Sequence, residues 1–335
     1  MRLRWLLLGP ALVGLLVVSA AVTAARVLAP TGGTWVRLAA FTPYATGLYL
    51  AAFLLLLPAV AGGRRFWRGL AGLAATAALL GLVMHVAWAS GPFLGDPGTP
   101  ATTATATEPA RQLRVMTSNL MFGGADVALV VAAAEDHEVD VLVVQEVTAA
   151  ALRGLEDAGV DRVLPHRAGR PAAGPDGTMV FARGRISGVR ALSTGFGSYS
   201  MRVGLVTGGG IRLVAAHVRP PVGDAGAWWS DLRAVRAAAR GLAGPALVVG
   251  DLNATTDHAP LRELRGRGYR DAATSAASGW QPTWPANGLH SVLQVPIPRL
   301  IAIDHVLARD LDPVRTETVD VAGTDHRALV ATLAR

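Results

Sequence analysis

Between residues 113 and 334, six apolar runs begin or end with side chains that can do chemistry. "LRVMTSNLMFG" leads to Asn119, "VLVVQEV" to Gln145 and Glu146, and "IRLVAAHV" to His217. "ALVVGDLNATTDH" carries Asp251 and Asn253, "RLIAIDHVLA" carries Asp304 and His305, and "GTDHRALVATLA" opens on Asp325 and His326. Singly, each has an ordinary explanation. Asp, Asn and Gly are common turn residues, Glu146 can cap a helix, His217 can be a satisfied core histidine, and Asp304 with His305 can be a solvated loop pair. Jointly they mean more. Glu146, Asp251, Asp304 and Asp325 all lie beside strongly apolar sequence, where an unpaired carboxylate is costly. Carboxylates that converge need a cation, and oxygen ligation without Cys selects Mg²⁺, with Mn²⁺ or Ca²⁺ as alternatives. With Asn and His added, such a site suits a phosphate ester. The metal neutralises phosphate charge, a carboxylate or imidazole activates water, and a protonated His steadies the pentacoordinate oxygens.

The elements that must position these groups are legible in outline. Strands are expected to end at Asn119, at Gln145–Glu146 and at His217, with further strands over 176–183 and 202–209 and a last one after His326. Residues 127–140 and 227–244 have helical periodicity. Asp251 and Asn253, at i and i+2 past a strand, point the same way. Residues 111–335 number 225, the size of one α/β domain.

The first third of the chain is different. Residues 5–25, 38–63 and 69–95 carry no charge, and each is long enough to cross a hydrocarbon core of about 30 Å as a helix. A cleaved signal peptide is the alternative for the first, since "MRLR" precedes it and "AAVTAA" offers a cleavage site. Two more spans follow directly, which favours three transmembrane helices in a membrane domain over 1–95. The Arg clusters "MRLR" and "GGRRFWRG" place the N-terminus and the 62–69 loop in the cytoplasm, so the remainder is extracytoplasmic and the protein a multi-pass cell-membrane protein. His85 lies near the outer end of the third span, as an interfacial or packed residue. The spans contain no acidic residue, which disfavours transport by them alone. A Pro/Thr/Ala linker, 96–110, leads to the third region, 111–335.

Charge narrows the partners. The net +7 divides into +6 for residues 1–105, with seven Arg and one acid, and +1 for 106–335, with 24 Arg and 23 acids. A near-neutral C-terminal region speaks against tight non-specific binding of long DNA. The chain has no Cys, hence neither disulfides nor thiolate metal sites. No protein partner is inferable.

The ordered motifs "SNL", "QEV", "AAHV", "GDLNAT", "IDHV" and "GTDHRAL" resemble the endonuclease/exonuclease/phosphatase superfamily over about residues 111–335. Membrane-tethered bacterial members are the nearest likeness. The resemblance implies a deoxyribonuclease I-like fold, a two-sheet four-layer α/β sandwich with the site at one edge. It further implies Glu146 as principal Mg²⁺ ligand, assisted by Asn119 and Asp325. Asp251 would position or deprotonate the attacking water and Asn253 hold a phosphate oxygen. His217 and His326 would flank the phosphate, with Asp304 orienting His326. A carboxylate partner for His217 is not identifiable, and the basic, tyrosine-bearing elements of DNA-cutting members are not evident. Tyr199 is a weak candidate on the substrate side. Trp280 and Trp284 could stack a base or meet the membrane, with packing over the core the more frequent fate. "WW" at 228–229 is expected in the core on at least one side. His258, His290 and His305 read as structural or surface residues. Three functions stay open: a nuclease-like phosphodiesterase or phosphatase, a sphingomyelinase-like enzyme acting on phospholipid head groups, and a non-catalytic binding module on the same scaffold.

Overall fold

Apolar residues on both faces of the expected strands require cover on both sides, and the chain supplies it with two stacked sheets flanked by helices. A computed structural model describes residues 2–62, 65–95, 112–206 and 208–335. The expected linker, 96–110, lies outside the described residues. Two compact units emerge, Met1–Gly91 with Asp257–Ala259, and Pro92–Thr256 with Pro260–Arg335.

In the first unit, Gly9–Leu28, Thr42–Gly62 and Arg65–Ala89 are long and apolar enough to cross a membrane. A short helix, Gly33–Ala39, separates the first two. His85 is buried among them. Its Nδ1 lies 2.9 Å from Thr42 O and its Nε2 2.9 Å from Thr23 Oγ1, which is 2.8 Å from the Tyr49 hydroxyl. Packing, not the interface, is the fate of this histidine, and its polar atoms are satisfied within the helices.

The second unit contains, in chain order, β1 (Gln112–Asn119), β2 (Val141–Gln145), β3 (His166–Arg170), β4 (Thr178–Ala182), β5 (Ile186–Ala191), β6 (Tyr199–Gly204), β7 (Gly210–His217), β8 (Ala246–Asp251), β9 (Arg270–Asp271), β10 (Ser291–Val292), β11 (Val295–Pro296), β12 (Asp304–Arg309), β13 (Asp312–Asp320) and β14 (Arg327–Ala334). One sheet has the order β13-β14-β1-β2-β4-β3, the other β5-β6-β7-β8-β12-β9, and β10–β11 is a separate hairpin. Each six-stranded sheet is centred on one parallel pair, β1–β2 or β7–β8. Parallel neighbours need a crossover. Helix Val127–Asp136 provides the first and helix Ala225–Arg240 the second. The expected strand over 202–209 instead starts at Tyr199 and ends at Gly204.

Two apolar layers hold the sandwich. Leu113, Val115, Val143, Leu213, Ala215, Leu247, Val249 and Val306 belong to the core shared by the two sheets. Met116, Leu142 and Val144, on the opposite face of the first sheet, pack with Val130, Val131 and Leu155 from its helices. Trp228, Leu232 and Val235 of helix Ala225–Arg240 are fully buried, and that helix contacts β7 and β8. The result is helix, sheet, sheet, helix.

Candidate active site

Strand alternation builds the site. Side chains two apart share a face, so the inter-sheet rows Leu113–Val115–Thr117, Val141–Val143, Ile211–Leu213–Ala215 and Leu247–Val249 continue to Asn119, Gln145, His217 and Asp251. Register brings these ends level: Asn119 pairs with Gln145, His217 with Asp251, and Asp251 with Asp304 of antiparallel β12. The apolar layer between the sheets therefore turns polar at one edge. Thr324 Oγ1 donates to Asn119 O (2.8 Å) and accepts from His326 N (3.2 Å), fixing the start of β14 beside the end of β1. Gly250 is needed for this fit. Its φ is +138° and a Cβ there would lie 2.0 Å from Ala216 O.

Asp304, Asp251 and His326 are buried, and one ligand atom from each lies within 4.8 Å of the others. His326 Nδ1 stands 2.9 Å from Asp304 Oδ2, while its Nε2 is 3.8 Å from Asp251 Oδ2 and 3.9 Å from Asp325 Oδ1. Burial alone would lower the His326 pKa, but Asp304 and Asp251 outweigh it and hold the imidazole protonated well above its ordinary range. Burial and the neighbouring Asp304 push the Asp251 carboxyl above the usual carboxylate range, against the donors Asn253 N (2.8 Å) and Asn119 Nδ2 (3.0 Å). A carboxylate that stays close to its pKa near neutrality suits proton transfer. Asp304 is held through its backbone, its N–H and that of Ile303 donating to Thr283 Oγ1. Its Oδ1 is buried without a partner.

His217 is different. Burial lowers its pKa to about 4, so it is neutral. Its Nδ1 lies 3.0 Å from Pro175 O, which fixes the proton there, and Nε2 faces Glu146 Oε1 and Asp251 Oδ2 at 3.7 Å each. The partner missing from the sequence is thus a backbone carbonyl. Ser198 clamps the His217 backbone, and Phe196 lies against the imidazole with centroids 4.7 Å apart.

Glu146 sits at φ +58°, a left-handed conformation that costs a non-glycine residue energy and turns its side chain into the site. Its Oε2 accepts from Phe122 N (2.6 Å) and its Oε1 from Asn119 Nδ2 (3.2 Å). Burial raises its pKa, and the negative charge of Asp325 adds to the rise. Asn119 is brought to the same edge, beside Glu146 and Asp251. Met121 N–H takes its Oδ1 at 2.9 Å, and its amide nitrogen spans Glu146 and Asp251. Asp325 Oδ2 accepts from Trp284 Nε1 (2.9 Å) and stands 2.8 Å from His290 Nε2. Trp284 and His290 therefore belong to the site, where sequence reasoning had left them to packing or surface. Trp284 lies in "GWQPTWPANG" (279–288), which resembles the loop before the Asp-His motif in this superfamily, whereas His290 follows that stretch and carries no such signal.

Asn253, at φ +45°, answers to both turn and site. Its N–H closes on Asp251, its Nδ2 donates to Val218 O at 2.9 Å, and buried Trp228 donates to its carbonyl at 2.9 Å. Tyr199 is corrected: it belongs to the inter-sheet core. His305 is structural, bridging Asp271 Oδ2 and Ala254 O at 2.7 Å each.

A model of the endonuclease/exonuclease/phosphatase family matches residues 116–326. Solved structures share the fold. An endonuclease/exonuclease/phosphatase from Beutenbergia cavernae is 20% identical with TM-score 0.52, covering 67% of this chain and 72% of its own. D. rerio TDP2, solved with a single-strand DNA product, is 17% identical with TM-score 0.57, covering 67% and 99%. C. elegans TDP2 is 15% identical with TM-score 0.51, covering 67% and 98%. No curated protein matches. The family match makes the chain a hydrolase of phosphoester bonds on a double-sheet sandwich. The chain belongs to the endonuclease/exonuclease/phosphatase family. Members of this family generally depend on a divalent metal. The donors present fit such an ion: carboxylate oxygens at Glu146 and Asp325 without thiolates, with the charge of Asp325 making an ionised Glu146 costlier in the absence of a cation.

Proposed function

We propose that the chain is a membrane-anchored, divalent-metal-dependent phosphodiesterase that hydrolyses phosphodiester bonds by attack of water. The observation that carries this reading is the Asp304–His326–Asp251 array, a buried cation and a buried base held 3.8 Å apart at the mouth of a carboxylate-rich edge. Glu146 is the principal ligand of Mg²⁺ (Mn²⁺ or Ca²⁺ as alternatives), with Asp325 assisting. When bound, the ion neutralises phosphate charge. Asn119 assists as a further ligand through Oδ1, and its amide nitrogen orients Glu146 and Asp251. Asp251 takes the proton of the attacking water. Protonated His326 donates from Nε2 to a phosphate oxygen, and its Nδ1–H stays on Asp304. Neutral His217 faces the phosphate through Nε2, and the Asn253 side chain sits beside it. Hydrolysis of DNA, RNA, phospholipid and small phosphodiesters by the full chain in detergent with Mg²⁺ tests the reading. No turnover of any class would reject it.

Asp304→Asn isolates the array. Turnover is expected to fall by about tenfold to a hundredfold at nearly constant KM, because the lost charge matters as charge develops on phosphate. Stability supplies a second readout in metal-free protein. His326 has a raised folded pKa, so its contribution is fully present below the unfolded value of about 6.5 and is lost as pH climbs through the folded one. The wild type should therefore lose stability above neutrality, and Asp304→Asn should flatten that slope. Equal slopes and equal turnover would make Asp304 a bystander.

The domain boundaries at 95 and 110 and the orientation belong to the same proposal. Arg clusters at both cytoplasmic ends hold the N-terminus and the 62–69 loop inside, exporting the catalytic domain. A reporter after Arg335 should label as extracytoplasmic and one beside Gly63 as cytoplasmic. The reverse labelling, or a mature chain lacking residues 1–25, would overturn three spans.

A further inference from the structure

The hairpin β10–β11 is rooted in the site and ends in an apolar tip that is exposed among the described residues. His290, the residue before it, lies 2.8 Å from Asp325 Oδ2 and stacks near Trp284, and Ile297 N donates back to His290 O at 2.9 Å. Every residue from Ser291 to Pro296 is exposed. Leu293 is 93% exposed, Val295 66%, Val292 60%, and Leu289 just before the hairpin 50%.

The backbone makes this stranger. Leu293 and Gln294 form a two-residue loop with φ of +50° and +64°, the geometry that normally selects Asn-Gly. A branched apolar side chain in that conformation is strained, and here it gains no burial in return. Exposed apolar clusters on a soluble face mark contact surfaces. The residues around it contain no acid from Ala286 to Ile303, so nothing there repels a phosphate-bearing surface. The same chain carries three helices of bilayer length, which makes a bilayer the apolar phase at hand.

We propose that the hairpin Ser291–Pro296 is a wedge that enters the bilayer surface and brings membrane-borne phosphoesters, the head groups of phospholipids, to Asp325 and His326. The substrate half of this proposal rests on the phosphoesterase reading above; the membrane half does not. The tip buries its aliphatic side chains at the acyl boundary, while His290 keeps the hairpin base registered on Asp325.

The absence of Cys in the chain allows a direct test. A single Leu293→Cys, carrying an environment-sensitive fluorophore, is compared in the full chain with Ser187→Cys on exposed β5, both in phosphatidylcholine–phosphatidylglycerol vesicles containing lipid-borne quencher. Quenching at position 293 well above that at 187 is expected. Equal quenching, or a blue shift at 293 that depends on protein concentration and persists without lipid, would overturn the wedge in favour of solvent or a second copy. In the activity arm, Val292→Ser/Leu293→Ser/Val295→Ser should lose about tenfold on vesicle phospholipid, from the apolar area no longer buried, and stay within about twofold on bis(p-nitrophenyl) phosphate. Wild-type turnover of the soluble diester without any on vesicle lipid would overturn the substrate half and leave the phosphoesterase reading standing. Turnover of neither would reject that reading, with the quenching result still deciding the hairpin.

Discussion

Asp251→Asn is expected to lower phosphodiester turnover by about three orders of magnitude while the protein still folds. The side chain is a buried carboxylate at the edge where the two sheets' strand ends meet, 3.8 Å from His326 Nε2 and 3.7 Å from His217 Nε2. Its pKa is raised by burial and by Asp304, so it can accept a proton near neutrality. An amide keeps its size and one acceptor for Asn253 N–H, but it cannot act as a base. The amide also turns a donor toward Asn119 Nδ2, which costs about 1–3 kcal/mol of stability and not the fold. In the wild type, the acidic limb of the pH–rate profile should lie above the ordinary carboxylate value of about 4. That limb should vanish in the variant. Full activity with an unchanged acidic limb would move the base elsewhere.

The second large effect is at Glu146. Glu146→Gln should keep the Phe122 N–H contact through its remaining oxygen, yet it removes one negative charge from the ligand set. Metal affinity and hydrolysis should both fall, the latter by about two orders of magnitude or more. Part of the loss should return at high Mg²⁺, because a weakened site can still be filled by mass action. Binding followed by calorimetry gives a readout apart from turnover. Unchanged affinity and unchanged turnover at limiting Mg²⁺ would remove Glu146 from the metal.

The residues that could be read from sequence are those whose type and place carry the signal together. Asn119, Glu146, His217, Asp251, Asp304 and His326 each close or open an apolar strand, and alternation put most of them into the layer between the sheets. The three membrane-length stretches were equally plain, since absence of charge over 20 residues or more needs no tertiary context. Other features depend on partners that leave no such trace. The contact orienting His217 is the carbonyl of Pro175, 42 positions upstream, and any residue type offers a carbonyl. The orientation of Asn119 is decided by the N–H of Met121, likewise invisible in residue type. Tyr199, a weak substrate-side candidate by sequence, is carried into the core by its register with Ala215. His290 and Trp284 reach Asp325 only because the loop before β12 folds back over the start of β14.

One measurement bears on the central claim most directly: hydrolysis of bis(p-nitrophenyl) phosphate by the full chain in detergent, with Mg²⁺ and with EDTA, beside Asp251→Asn. The expected result is turnover in Mg²⁺ that EDTA abolishes and the substitution nearly removes. A rate no faster than the uncatalysed one with Mg²⁺, Mn²⁺ and Ca²⁺, or a rate indifferent to both EDTA and the substitution, would contradict a metal-dependent phosphodiesterase at this edge of the sandwich.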